Sequence, residues 1–474
     1  MSGFRLYSLK INSEIVTTSN IDLIDNEEST YGNYFSLIIG NNGTGKSRIL
    51  VEISKYFKEL KERRKDPLTY KNLKIKYNIV PSKIITISNS SSNKFPIGFS
   101  YNPNPLVAQN KIYSSDLYYH HLGIKNRLTS FPHARKSFNR TLEIILDNYS
   151  DLEISRNYRS IFNYLEYEPI IKVTFEIKHL KQIESNEEIF DLLFNKIESY
   201  IGYRNHLPED FDFIKYTKNR IKDLYKFLLS TISHKRNTIE VDINFSSKNI
   251  ERINRLGSPL IENLHSYELI NILRKLNIIG NYKVEVFKKD GVPFNFENAS
   301  SGEANILSNL LSLTPLIEDN SLILIDEPEI SLHPLWQAKY IDLLNKVLEN
   351  FSGCHIIIAT HSPFLASDLN PKNSCVIKLE NKKRIVSSSI INKSTYGWSA
   401  EDILLHVFGM ETTRNFDLYK RVSDALDLLA RDKKNNEELK SIQKEIEIFY
   451  PSLLDSDPIK SVIEAIFKAI SYER

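Results

Sequence analysis

Residues 40–47 combine the side chains and the spacing needed to bind the phosphates of a nucleotide. They read Gly-Asn-Asn-Gly-Thr-Gly-Lys-Ser, a full match to the pattern GxxxxGK[ST]. The glycines let the backbone curl so that several N–H groups point at the phosphates, and the helix that begins there adds its positive dipole end. Lys46 is expected on the β- and γ-phosphates and Ser47 on Mg²⁺. The predicted nucleotide-binding residues are Asn42, Gly43, Thr44, Gly45, Lys46 and Ser47.

Acidic residues follow a second apolar stretch, 322–325, where the chain continues with Asp326 and Glu327. A buried strand that ends in an acid places a carboxylate beside the metal ion of a nucleotide site. Asp326 is expected to hold Mg²⁺ through a water molecule, and Glu327 to polarise the attacking water. An ordinary solvated acidic pair would be credible alone, but not beside a phosphate-binding loop.

A histidine ends the third apolar stretch, 356–359, which runs into Thr360, His361 and Ser362. A single histidine after a strand is usually a loop residue. His361, however, follows the acidic strand by one helix, which is the position of a residue that senses the γ-phosphate. We therefore predict a role in catalysis for His361.

The elements that must position these residues are short, continuously apolar strands. Such runs occur at 34–40, 83–88, 321–326 and 355–360, and they are typical of buried central strands. Apolar residues at three- and four-residue spacing after Ser47 predict a helix with one apolar face, and a helix is also predicted near 334–350. The fold class is α/β.

The pattern of apolar and polar residues changes along the chain and suggests four parts. Residues 135–298 are rich in helical patterns, with strands suggested at 169–179 and 237–246 and a hairpin that turns at Asp290-Gly291. Two of the four parts form the ATPase head, the domain that carries the residues above: 1–134 is its N-terminal part and 299–395 is its C-terminal part. Residues 135–298 are a mainly helical insertion between these parts, and residues 396–474 are a C-terminal helical region.

Composition sets weaker limits. Lys and Arg number 62 against 59 Asp and Glu, and the resulting net charge of +3 argues neither for nor against a nucleic-acid partner. Two cysteines, outside any CxxC pattern, are typical of a reducing environment, and we expect a cytoplasmic protein. The sequence shows no signal peptide and no apolar run of the roughly 18 residues that a membrane span needs.

The stretch 298–307, NASSGEANIL, resembles the signature loop of ABC-type ATPases, usually written LSGGQ. Ser300 and Gly302 match, while Ala299, Ser301 and Glu303 depart toward the SSGE form of the non-transporter branch. The resemblance implies that Ser300, Ser301, Gly302 and Glu303 of one subunit cover the ATP held by a second subunit. It therefore implies a head-to-tail homodimer, or a higher oligomer, with ATP and Mg²⁺ at composite sites.

Two details depart from the transporter pattern. No convincing Q-loop glutamine is present: the stretch SNSSSNKF after residues 83–88 has none, and Gln109 is unsupported. His333 stands where transporters tend to have aspartate. A transporter ATPase is therefore the least favoured member of the class.

The segments DEPEISLHPLWQ and THSPF resemble the corresponding motifs of the PtuA-like ATPases of the Septu and retron anti-phage systems. These proteins are related to RecF and OLD-family ATPases. Residues 399–419 resemble the segment that follows the head in these proteins. The resemblance implies an ATPase that assembles with a small HNH nuclease, PtuB-like, and controls its cutting of nucleic acid, and it implies no membrane partner.

Nuclease motifs are not evident in the chain itself. The DxD at Asp455 and Asp457 precedes a proline and a helix and is interpreted as a helix cap, and His120, His121 and His133 lack metal-ligand partners. A nuclease acting in trans fits this pattern. The alternatives are a RecF-like ATPase that clamps duplex DNA and a nucleotide sensor with slow turnover. The C-terminal helices either dock the partner or pack back on the head.

Overall fold

The computed structural model divides the chain into two compact units, Met1–Gly397 and Trp398–Arg474. The second unit begins two residues after the start of the predicted helical region. The residues described are 3–13, 16–25, 32–61, 72–90, 94–96, 118–123, 141–142, 144–145, 152–178, 186–204, 217, 219–231, 238–245, 265–291, 293–295, 301–382, 385–431 and 437–471.

Strands of the first unit form three sheets. In chain order they are β1 (Leu6–Ile11), β2 (Thr17–Thr18), β3 (Ile21–Asp22), β4 (Tyr34–Gly40), β5 (Leu73–Tyr77), β6 (Ile84–Ser88), β7 (Tyr119–Gly123), β8 (Tyr167–Ile177), β9 (Thr238–Asn244), β10 (Ile279–Lys288), β11 (Pro293–Asn295), β12 (Leu322–Asp326), β13 (His355–Ala359), β14 (Ser374–Lys382) and β15 (Ile385–Ile390).

Helices connect and cover these strands. In the first unit they are α1 (Lys46–Lys61), α2 (Leu152–Tyr164), α3 (Asn186–Arg204), α4 (Ile221–Thr231), α5 (His265–Lys275), α6 (Ser301–Leu313), α7 (Pro334–Ala338), α8 (Tyr340–Val347) and α9 (Pro363–Ser367). Helix is present where it was predicted near 334–350, but it is interrupted: α7 and α8 meet at Lys339, whose φ and ψ of −94° and −2° lie at the edge of helical space.

The largest sheet has eight strands in the order β2-β15-β14-β4-β13-β12-β6-β7. All neighbours are parallel except β14 and β15, which form an antiparallel pair. In register, Asp326 of β12 lies beside Ala359 of β13 and Ser88 of β6, and Ala359 lies beside Ile38 of β4. The carboxyl ends of four central strands therefore meet at one edge of the sheet.

Helix α1 packs against the central strands and completes this part of the core. It contacts β4, β6, β12 and β13 and buries Ile49, Leu50, Ile53 and Phe57 completely. These four side chains recur at helical spacing, which confirms the amphipathic pattern predicted for the segment. The start of α1 is thereby fixed at the same edge where the strands end.

A buried polar contact joins the main sheet to the antiparallel sheet β3-β1-β5. The N–H of Leu6 donates to Nδ1 of His355 at 3.1 Å, so the proton of the imidazole lies on Nε2 and faces Ser36 Oγ at 2.7 Å. Ser36 Oγ donates in turn to the carbonyl oxygen of Leu23. Burial keeps the pKa of His355 well below its usual value, so this histidine is a neutral connector in the core.

The insertion contains an antiparallel sheet as well as helices. Its strands follow the order β11-β10-β8-β9, and the turn between β10 and β11 contains Gly291 with a φ of 79°. Buried and half-buried residues alternate along β8 and β9, the pattern of a sheet covered on one face. The hairpin predicted to turn at Asp290-Gly291 is confirmed.

The second unit is helical: α10 (Ala400–Asp402) runs into a π-helical turn, and α11 (Phe416–Ala430), α12 (Glu437–Phe449) and α13 (Pro458–Ser471) follow. These three longer helices share an apolar core that includes Ala425, Leu439, Ile446 and Ile463. Asp457 caps α13, since its Oδ1 accepts from the N–H of Ile459 at 3.0 Å, as predicted.

Candidate functional site: the carboxyl edge of the large sheet

The phosphate-binding loop joins the end of β4 to the start of α1. Gly43 and Gly45 have φ values of 81° and 83°, in the left-handed region that glycine adopts without strain. A Cβ atom at Gly40 would stand 2.7 Å from the carbonyl oxygen of Leu379 on β14. Asn42 and Gly43 are exposed at the tip of the loop. All three glycines of the pattern therefore have a conformational or steric cause.

Lys46 lies under this loop and is only 5% exposed. Its Nζ donates to the carbonyl oxygens of Gly40 at 2.8 Å and Asn41 at 3.3 Å, and Thr44 Oγ1 also donates to Asn41. Burial lowers the pKa of Lys46, and the nearby carboxylates, Glu327 foremost, oppose that shift. The loop thus holds a positive charge beside the acidic residues that end β12.

Asp326 ends β12 and is almost completely buried, at 5% exposure. Burial raises its pKa to about 6, while a hydrogen bond with Ser47 opposes the shift. Its Oδ1 is buried and has no hydrogen-bond partner among the described residues. A buried, unpartnered carboxylate oxygen beside a serine hydroxyl is a donor set suited to Mg²⁺, which prefers oxygen ligands. Asp326 and Ser47 therefore fit the predicted metal ion.

Glu327 and His361 converge from the ends of adjacent strands. Glu327 has a φ of 49°, which is strained for a residue with a side chain, and its N–H donates to the carbonyl oxygen of Ala359 at 2.8 Å. Its Oε1 lies 4.0 Å from Nε2 of His361. Burial, and then the charge of Lys46, lower the pKa of His361, so its imidazole is neutral at pH 7.

A phosphate-binding loop, a buried aspartate, an adjacent glutamate and a histidine therefore meet at one sheet edge. The profile of a known family, described as AAA ATPase domain, matches residues 16–366, about three quarters of the chain. The chain belongs to the AAA ATPase domain family. This membership confirms the α/β ATPase fold expected from the sequence.

Defence ATPases are among the relatives of this AAA ATPase. The retron Vc95 probable ATPase of Vibrio cholerae is 23% identical over 83% of this chain and 79% of its own length. The Septu protein PtuA of Bacillus thuringiensis is 35% identical over 96 residues, which is 20% of this chain and 24% of PtuA. The chain is thus homologous, at low identity, to the ATPases that the signature and acidic motifs resemble.

This AAA ATPase is also similar to a phage protein and to a solved structure. Protein ea59 of Escherichia phage lambda is 29% identical over 175 residues, and the alignment spans only about a third (32%) of that protein. The crystal structure of the Smc head domain of Pyrococcus furiosus, bound to a domain of ScpA, aligns over 82% of this chain and 96% of its own at 11% identity, with a TM-score of 0.32. The fold assignment rests on the family match and the strand order.

Glu329 belongs to the AAA ATPase site but was missed by sequence reasoning. Its Oε1 accepts from the N–H of His361 at 2.5 Å. Burial raises the pKa of Glu329. The only sequence signal was a further acid three residues after Asp326, and nothing in that spacing indicates which backbone group it contacts.

The signature segment is partly described. Ser300 lies outside the described residues, and α6 begins at Ser301, whose side chain is also not described. A Cβ atom on Gly302 would stand 2.2 Å from the carbonyl oxygen of Ser331, so this position requires glycine. Glu303 turns toward the antiparallel sheet, where its Oε1 accepts from Tyr167 Oη at 3.2 Å.

Asn89 occupies the place where the sequence lacks a Q-loop glutamine. It directly follows β6, and its amide group donates to the carbonyl oxygen of Pro328 at 3.3 Å. Its Oδ1 accepts from Nδ2 of Asn309 on α6 at 2.9 Å. One side chain thus links the loop after Asp326 to the helix that carries the signature. Gln109 lies outside the described residues.

The other polar candidates have structural contacts. His120 and His121 are buried on β7, and Nδ1 of His121 lies 2.8 Å from Thr86 Oγ1. His133 lies outside the described residues, and His333 caps α7 by accepting from the N–H of Leu335 at 3.3 Å. Within the described ranges, no three His, Cys, Asp or Glu side chains are grouped as a metal site would require. The described helices include none that is both apolar and long enough to cross a bilayer.

Proposed function

We propose that this AAA ATPase hydrolyses ATP at the carboxyl edge of its large sheet. The observation that carries the proposal is the convergence of Lys46, Asp326, Glu327 and His361 at the ends of adjacent parallel strands. Lys46 and the loop N–H groups bind the phosphates, and Ser47 and Asp326 hold Mg²⁺. When bound, Mg²⁺ neutralises phosphate charge.

The hydrolytic step divides between two side chains. Glu327 orients the attacking water and accepts its proton, as its position one residue beyond the metal-binding Asp326 allows. His361, which is neutral, donates a hydrogen bond toward the γ-phosphate without adding a competing charge beside Lys46. Steady release of phosphate from ATP and Mg²⁺ tests this assignment, and its absence in Lys46→Ala excludes a contaminating enzyme.

We propose further that two copies assemble head to tail, with Ser300, Ser301, Gly302 and Glu303 of one copy over the ATP of the other. Support comes from the surface beside α6: Leu335 is 68% exposed, and a cavity of about 700 Å³ adjoins Glu303, lined also by Tyr167, Lys288 and Trp336. Leu335 itself lines this cavity, so the exposed apolar side chain and the cavity form one surface beside α6.

The dimer is tested by light scattering with and without ATP and Mg²⁺. Glu327→Gln slows hydrolysis and should trap the dimer, whereas Leu335→Lys should reduce dimerisation without weakening ATP binding to a single copy. A molecule that stays monomeric in Glu327→Gln with saturating ATP contradicts the composite site.

The biological role we propose is control of a small HNH nuclease in anti-phage defence, with the nuclease acting in trans. The support is homology to Septu PtuA and to retron ATPases. Within the second unit, Phe416, Ile448 and Leu454 are 64%, 74% and 73% exposed although the unit has its own apolar core. We propose that these side chains belong to the docking surface for the nuclease.

The full-length protein, co-expressed with a candidate HNH nuclease, provides the test. Copurification and nuclease activity that changes between ATP and ADP support the role, and the pair Ile448→Lys and Leu454→Lys should abolish copurification while leaving ATP turnover intact. If that pair still captures the nuclease, the docking surface is elsewhere. ATP-dependent binding of duplex DNA by the isolated protein, lost as salt rises, favours a DNA clamp instead.

A further inference from the structure

Glu329 is an acidic residue of the site to which the proposed mechanism gives no role. Its Oε2 is buried without a hydrogen-bond partner among the described residues, while its Oε1 bonds to the loop that carries His361. Burying a carboxylate is unfavourable unless its contacts compensate. Burial of Glu329 is therefore unfavourable for stability by itself, and its hydrogen bond to the His361 loop indicates a functional role.

Glu329 is separated from its bonding partner by 32 residues in sequence, because that partner, His361, lies on the segment that follows β13. The N–H of His361 donates to Oε1 at 2.5 Å, while the hydroxyl of the preceding Thr360 accepts from the N–H of Ser362 at 2.9 Å. A carboxylate oxygen accepts a hydrogen bond more strongly than a neutral acceptor does. Glu329 thus restrains the backbone at the residue whose imidazole faces Glu327.

A second contact restrains the other side of this segment. Ser362 Oγ donates to Oε1 of Gln337 at 2.7 Å, and Nε2 of Gln337 donates to the carbonyl oxygen of Leu332 at 2.9 Å. His361 therefore lies between two anchors, both of which come from the chain that follows β12. Of the two, only Glu329 bonds directly to the backbone of His361.

We propose that Glu329 is the positioning residue for His361. It holds the imidazole within reach of Glu327 and of the γ-phosphate without contacting the substrate itself. The inference rests on the proposed ATPase mechanism and adds a residue to it. Because turnover depends steeply on the placement of a catalytic group, loss of this anchor should reduce kcat more than it changes KM.

Three substitutions of Glu329 in the full-length protein separate the hydrogen bond from the charge. Glu329→Gln keeps an acceptor for the N–H of His361 and removes the charge, so kcat should stay within about threefold of wild type. Glu329→Met has a similar length and no suitable acceptor, and kcat should fall about tenfold with little change in KM. Glu329→Asp keeps the charge, but its shorter side chain moves the carboxylate away from the N–H of His361, so its kcat should fall as in Glu329→Met.

A double-mutant cycle tests whether Glu329 acts through His361. If it does, Glu329→Met should cause no further loss of kcat in a His361→Ala background, whereas independent effects multiply. Glu318→Gln is the control, because Glu318 pairs with Lys83 at 2.6 Å at the amino ends of the strands and should leave kcat unchanged. The Asp variant keeps the cycle available if the Met variant does not fold.

The possible results separate this inference from the function on which it rests. A wild-type protein without ATP turnover refutes the proposed ATPase. Wild-type turnover combined with normal kcat in Glu329→Met and Glu329→Asp refutes only the positioning role. Multiplicative losses in the cycle, or a Gln variant as impaired as the Met variant, also overturn it.

Discussion

The two larger sheets of the first unit differ in how burial runs along their strands. In the eight-stranded sheet, β4, β6, β12 and β13 are buried at every residue. In the four-stranded sheet, β8 alternates between buried and half-buried positions over most of its length. The first pattern belongs to a layer covered on both faces, and the second to a layer with one face nearer to solvent.

This difference determines where chemistry can occur. A strand that is buried on both faces can present a side chain to solvent or to a ligand only at its ends, so Asp326, Glu327 and His361 lie together at one edge. An alternating strand presents polar residues along its whole length, such as Lys172 and Glu240, which pair across β8 and β9 at 3.2 Å. We therefore expect the parallel sheet to be sensitive in function and the antiparallel sheet to be sensitive mainly in stability.

The largest expected effect is on Lys46, the lysine proposed to bind the phosphates. Lys46→Ala should weaken ATP binding by about 100-fold, because a charge-assisted contact worth about 3 kcal/mol is lost from a buried site. Isothermal titration with a non-hydrolysable ATP analogue measures it. Lys172→Ala removes a lysine from the antiparallel sheet and should leave affinity unchanged; equal losses in both variants would end the contrast between the sheets.

Loss of the proposed general base should be nearly as severe for turnover. Glu327→Gln removes the proton acceptor while keeping the size of the side chain, and kcat should fall about 100-fold or more, with ATP affinity retained. Phosphate release under saturating ATP measures the change. Glu240→Gln on β9 is the matched control, and a normal kcat in Glu327→Gln would show that another group accepts the proton.

A smaller effect is expected at the start of α6. Gly302→Ala places a Cβ against the backbone carbonyl of Ser331, which cannot move as a side chain can, so kcat should fall about tenfold. The control is Gly280→Ala on β10, where the added Cβ would meet only the flexible end of Lys178. Turnover assays on both variants decide, and comparable losses would mean that the close contact at Ser331 has no special role.

Residue spacing was sufficient to predict part of this site. The pattern at 40–47 and the acids after 322–325 are local, and the roles predicted for them depend only on their position at the start of a helix or the end of a strand. Glu329 and Asn89 could not be predicted, because each contacts residues that are distant from it in sequence. Glu329 contacts His361, and Asn89 contacts Pro328 and Asn309. The pairing of β8 with β10 is non-local in the same way, so alternation could suggest the strands but not their order.

The last predictions concern stability rather than turnover and compare two aspartates, one on each of the two larger sheets, whose pKa values burial raises above the usual value. A raised pKa in the folded state means that the folded protein keeps its proton to higher pH than the unfolded chain. Stability from the protonated group is therefore present at low pH and is lost as pH rises through the folded pKa. Replacing either residue with asparagine should stabilise the metal-free protein at pH 7.

The two substitutions should differ in size and in their response to Mg²⁺. Asp326, with a pKa of about 6, should gain about 2–3 kcal/mol as Asp326→Asn, and the gain should shrink as pH falls from 6 to 4. Asp242→Asn, on the half-buried face of β9 near Lys172, should raise the melting temperature by only about 1–2 °C. Urea unfolding across pH 4–8 measures the free energy of unfolding, and thermal unfolding measures the melting temperature. Mg²⁺ with ATP should stabilise wild type and Asp242→Asn more than Asp326→Asn, because of these residues only Asp326 is proposed to hold the metal ion; equal stabilisation of all three would contradict that proposal.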